Sequence, residues 1–101
     1  MASNLSFSRN EAETNALGID VLTWIAENDE RMGRFLALSG LNIDNLRKAA
    51  AEPGFMVGVL GFLTGHEQTL LAYCEERGVE PEMVAKAWRS LGGESHFESG
   101  I

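Results

Sequence analysis

From Leu17 to Leu91 the apolar residues recur three and four positions apart, in short runs that glycine, proline or asparagine interrupts. That spacing lays side chains along one face of an α-helix, whereas a half-buried strand alternates every second residue. A chain patterned this way buries its stripes by packing helix on helix. The expected fold is all-α, a compact bundle of about six short helices over residues 9–91. Residues 1–8 are polar, and residues 92–101 open with two glycines and have no period, so both read as flexible ends.

The first helix is expected from about Asn10 to Glu27. Its stripe is Leu17, Val21, Trp24 and Ile25, widened by Ile19, Leu22 and Ala26, which leaves Asp20, Thr23 and Glu27 for water and makes this helix the central one. Asn28 caps a second helix carrying Met32, Phe35 and Leu36, which Gly40-Leu41 stops with a left-handed turn. Asn42 caps a third with Ile43, Leu46, Ala49 and Ala50, and Pro53 ends it. Gly54 to Thr64 holds strand-forming residues, yet Phe55, Val59, Phe62 and Leu63 fit a helical face, as do Met56 and Leu60. A lone strand has no partner, so this segment is expected as a buried helix. Its glycines Gly54, Gly58 and Gly61 cost roughly 1 kcal/mol each against alanine, which close approach of another helix would explain. Thr64-Gly65-His66-Glu67 has the spacing of a capping box and opens a fifth helix with Leu70, Leu71, Tyr73 and Cys74, stopped by Gly78-Val79. Pro81 then opens a sixth with Val84, Ala87, Trp88 and Leu91.

Shifted by 38 residues without a gap, the chain matches its own pattern: Leu17 on Phe55, Val21 on Val59, Trp24 on Phe62, Phe35 on Tyr73, Gly40 on Gly78, Leu46 on Val84. Identities are few, but the glycine stops fall in register. The pattern predicts two pseudo-repeated three-helix units packed face to face, with the fourth helix buried against the first.

Composition narrows the functional classes. The formal net charge of −7 is spread along the chain, −3 over residues 1–52 and −4 over 53–101. Phosphate backbones and anionic lipid are bound by clustered Lys and Arg, so this balance argues against general nucleic-acid binding and against membrane docking. No run reaches the roughly 18 apolar residues of a membrane span. The N-terminus is polar where an export signal needs an apolar region. Cys74 is the only cysteine, which rules out an internal disulfide and fits a reducing compartment, so a cytoplasmic location is expected.

Each constellation that could carry chemistry falls short. His66-Glu67 begins like a zinc-protease motif, but Leu70 stands where the second histidine is needed. His66 and Cys74 on one helix would lie about 12 Å apart along its axis, out of reach as a nucleophile–base pair; Cys74 reads as a small core residue. Asp29-Glu30 and Glu75-Glu76 point apart on their helices and read as solvated surface. The glycines of the fourth helix lack the Lys and Ser/Thr of a phosphate-binding loop. No catalytic residue, metal site or cofactor is expected.

The spacing of Phe35, Gly40, Leu41, Leu46 and Ala49 resembles the core of a helix-turn-helix, with Arg47 and Lys48 on the would-be recognition helix and Arg31 and Arg34 before it. Asp44 and Glu52 share that helix, and Leu36 fills a position usually held by a small residue. In the repeat Arg34 and Arg47 fall on Ala72 and Ala85, so a duplicated core does not explain them. They pair with acids within the chain or bind an acidic partner.

Arg34-Phe35-Leu36, Gly40-Leu41, Leu46-Arg47, Val59-Leu60-x-Phe62-Leu63, Glu67 and Gly78 together resemble a family of short bacterial proteins, mainly alphaproteobacterial. That family is the domain of unknown function numbered three thousand five hundred and seventy-two. The resemblance spans roughly Ala16 to Leu91, and departs at Asn42 and Glu80, where the family has Asp. It implies a bacterial cytoplasmic protein and brings no mechanism. The expected function is a non-catalytic protein-interaction or regulatory adaptor domain that binds a protein partner or its own copy. Arg31, Arg34, Arg47 and Lys48 are the candidate contact residues; the alternative is a helix-turn-helix-like nucleic-acid binder.

Overall fold

A computed structural model describes residues 9–52 and 54–93. Residues 1–8 and 94–101, expected as flexible ends, lie outside the described residues, as does Pro53, the expected end of the third helix. Six helices follow one another, α1 Arg9–Ala26, α2 Asp29–Ser39, α3 Ile43–Ala50, α4 Phe55–Thr64, α5 Glu67–Arg77 and α6 Pro81–Ser90. The described residues include no strand.

The ends of the helices are set by local chemistry. Asn28 caps α2 by accepting from the Arg31 backbone N–H at 3.0 Å. Asn42 and Asn45 form a reciprocal capping box at the start of α3, with bonds of 2.9 and 3.0 Å. Gly40 and Gly78 adopt φ of 77° and 68°, a region where a side chain costs roughly 1–2 kcal/mol. The residue after each glycine closes the same bond, Leu41 N–H to Leu36 and Val79 N–H to Cys74, both 3.1 Å. One expected cap is absent. Thr64 is the last residue of α4 and donates to the Gly61 carbonyl, while His66 holds the N-cap position of α5 without a side-chain bond to it. Two loop residues between the helices leave no room for Thr64 to belong to the second.

The 38-residue register reaches the element boundaries. α1 and α4 end that far apart, α2 and α5 both start and end so, and α3 and α6 start so. Counterparts also meet. A Cβ on Gly18 would lie 2.6 Å from Met56 Sδ, and these two are repeat equivalents, as residues beside a two-fold axis are. The edge-to-face pair Phe35–Phe62 has ring centroids 5.4 Å apart at 82°, and its mirror, Tyr73–Trp24, 5.4 Å at 77°. These contacts are reciprocal, but the helix packing is not: α6 packs on α4 and α5, while α3 makes no comparable contact with α1 or α2.

The units are not equally packed. α4 lies against α1, α5 and α6, and supplies Val59, Leu60 and Leu63, all wholly buried. It shares the centre with α1, which buries Val21, Trp24 and Ile25 wholly. α3 has no buried residue, whereas its counterpart α6 buries Val84 and Ala87. Five expected core positions face water: Ile19, Ala26, Ile43, Ala50 and Leu71, with Ile19, Ile43 and Leu71 56%, 63% and 48% exposed. Their apolar stripes are wider than the surface offered to them. Close approach explains only part of the glycine pattern. Gly61 faces the Trp88 indole at 3.3 Å, while Gly54 and Gly58 meet nothing. The glycine that admits a neighbouring helix is Gly18.

Candidate functional site

A cleft of about 250 Å³ lies between the N-terminal halves of α2 and α5, lined by Trp24, Asn28, Glu30, Arg31, Arg34, Gln68, Thr69 and Ala72. Three opposed pairs on its walls are repeat counterparts: Glu30 and Gln68, Arg31 and Thr69, Arg34 and Ala72. The cleft therefore sets counterpart positions against each other, with two arginines on one wall and neutral residues on the other.

Arg31 is fixed from below. Its guanidinium sits 3.7 Å from the centroid of the Trp24 ring, a stacking that holds the cation by the ring's negative face. The Trp24 indole N–H donates to Glu76 Oε1 at 2.8 Å, and the other Glu76 oxygen lies 4.0 Å from Arg31 Nη1. Arg31 Nε is buried without an acceptor. Arg34 is exposed and forms no ion pair among the described residues. Glu76 is exposed, as expected of it, and also serves as an acceptor for α1. It reaches across to α1 because Trp24, wholly buried, needs a partner for its N–H.

A second polar cluster fastens α5 to α1. The Tyr73 hydroxyl donates to Asp20 Oδ2 at 2.7 Å, Arg77 Nε donates to the same oxygen at 3.2 Å, and Arg77 Nη2 donates to Glu27 at 3.2 Å. Burial first, then the bond to Asp20, pushes the Tyr73 phenol far above its ordinary range. Asp20 and Glu27, expected on the wet side of α1, are structural acceptors here. Residue type alone did not point to them, since the tyrosine and arginine they serve lie 50 or more residues away.

Arg47 and Lys48 are exposed in the last turn of α3, and neither lines the cleft. Of the four cations singled out from the sequence, Arg31 and Arg34 share one site. Near the other two, the α2–α3 corner exposes Leu38 by 58% and Ile43 by 63%. The equivalent corner between α5 and α6 carries Glu76, Pro81 and Ala85 at the positions of Leu38, Ile43 and Arg47. An open depression there is lined by Leu71, Cys74, Val79 and Pro81 with Glu75 and Glu80 beside them.

His66 and Cys74 belong to separate surroundings. His66 Nδ1 lies 2.8 Å from the Phe62 carbonyl, so that nitrogen carries the proton and donates, closing the end of α4. Cys74 is a buried free thiol that burial pushes up, the reverse of what a nucleophile needs. Among the described residues no three His, Cys, Asp or Glu are placed to hold a metal, and no helix is long and apolar enough to cross a membrane.

No curated protein and no solved structure matches the chain. A family model does, that of the Protein of unknown function (DUF3572), over residues 9–94. The match takes in all six helices, the cleft arginines and both glycine stops, and the chain belongs to that family.

Proposed function

We propose that this chain is a non-catalytic protein-interaction module of the bacterial cytoplasm, and that a partner docks on the α2–α3 corner. The observation that carries the reading is an internal control. The second unit builds the same corner with Glu76, Pro81 and Ala85, so the fold does not require two exposed aliphatic residues and an arginine at Leu38, Ile43 and Arg47. Exposed aliphatic side chains beside unspent cations suit an apolar partner segment with acidic residues alongside. Ile43 and Arg47 are four apart on α3 and share a face. The nucleic-acid alternative is weakened by Arg31, which is packed on Trp24 beside Glu76 and is not spread along a basic surface with Arg47 and Lys48.

The test is capture from a bacterial lysate on the immobilised full chain, read by mass spectrometry, beside the double variant Leu38→Asp/Ile43→Asp. Both positions are exposed, so the variant keeps its fold. A partner held by the wild type and lost by the variant is expected. The same partners on both would overturn the assignment of the surface, and light scattering would show whether the partner is a second copy.

A further inference from the structure

We infer that the cleft between α2 and α5 is a binding site for a single carboxylate group, held between Arg31 and Arg34. The inference stands apart from the docking corner, with which it shares no residue. Arg31 and Arg34 are three apart on α2 and so lie on one face of it. Trp24 and Glu76 already fix the position of Arg31, whose Nη1 has only a long contact of 4.0 Å to Glu76, and Arg34 forms no ion pair among the described residues. Planar guanidinium groups offer paired N–H donors that match the two oxygens of a carboxylate.

The opposite wall makes the room. Thr69 and Ala72, the counterparts of Arg31 and Arg34, have short side chains, and about 250 Å³ lies open beside them. That volume is below the roughly 300–1,000 Å³ of sites for whole small molecules, so it suits one head group. Thr69 and Gln68 add neutral hydrogen-bonding groups. The charge selects a monoanion. Glu30 lines the cleft and Glu76 flanks it, within a chain of net charge −7, so the second charge of a phosphate meets repulsion that a carboxylate avoids. The carboxylate could be a free small acid or a Glu side chain of another protein, and the chemistry of capture is the same.

Nuclear magnetic resonance titration of the full chain tests this. Sodium acetate forms one arm and a short peptide with one glutamate and an amidated end forms the other. Sodium chloride and sodium phosphate at matched ionic strength are the controls. Saturable shifts of the Trp24 indole N–H, the Arg31 Nε–H and the Ala72 amide are expected with carboxylate. Saturation by acetate as tight as by peptide marks a free acid, and tighter peptide binding marks a protein side chain. Arg34→Gln should bind about tenfold more weakly, the loss of one charge-assisted contact, and Arg47→Gln should titrate as wild type. Because Arg31 covers Trp24, the second variant is Ala72→Glu, which tethers a carboxylate opposite Arg34 and should abolish the titration with helicity unchanged. No saturation in either arm, tighter phosphate than carboxylate, or wild-type titration of either Arg34→Gln or Ala72→Glu would overturn the inference.

Discussion

Tyr73 shows how one side chain ties stability to pH. Its phenol is buried beside Asp20, which favours the neutral form, so its folded pKa lies above the ordinary 10.0. A group raised in this way contributes its full stability below that value and loses it as pH rises through the folded pKa. The thermal midpoint should therefore fall steeply above about pH 10. Tyr73→Phe should flatten that limb while costing about 1 kcal/mol at neutral pH through the lost hydrogen bond. Melts across alkaline pH would show both, and an unchanged limb in the variant would assign the fall elsewhere, with the buried Cys74 thiol the next group to examine. The glycine stops carry a second expectation. Gly40→Ala and Gly78→Ala should each destabilise by about 1–2 kcal/mol, since both sit at positive φ; denaturant unfolding would measure it. These glycines, and the caps Asn28 and Asn42, were legible in the sequence because their chemistry is local. Asp20, Glu27 and Glu76 were not, because an acid on a helix surface looks the same whether or not a distant helix brings it a donor.

Among the helices, α4 and α3 stand at opposite ends of the range. α4 is buried along most of its length, and α3 only leans on the core through Leu46 and Ala49. Leu60→Ala should cost about 2–5 kcal/mol as a cavity in the packed centre. Ile43→Asp, at a position 63% exposed, should shift stability by less than about 0.5 kcal/mol. Amide exchange should follow suit, with α3 losing protection well before α4; equal protection of the two would contradict the packing described. Helical periodicity located all six elements, and for α4 it outweighed the strand-forming side chains because no second strand exists to pair with. Periodicity overestimated burial in α1, α3 and α5. An apolar stripe states what a helix can bury, and the neighbours decide how much of it they cover.

The whole molecule carries one helical pattern twice, and many positions depart from it, those of the candidate sites among them. Counterpart boundaries, glycine stops and aromatic pairs repeat. Arg31 and Arg34 in the cleft, and Leu38, Ile43 and Arg47 at the corner, do not. The repeat was visible in the sequence, and so were four cations of uncertain use. What the sequence lacked was their grouping. Arg31 and Arg34 face small counterparts across the cleft, a relation that exists only once α2 and α5 lie side by side. The docking proposal is tested most directly by hydrogen exchange of the full chain, free and bound to the partner it captures. Slowed exchange over residues 38–48 is the expected result. Slowed exchange confined to the α5–α6 corner, with residues 38–48 unchanged, would contradict it.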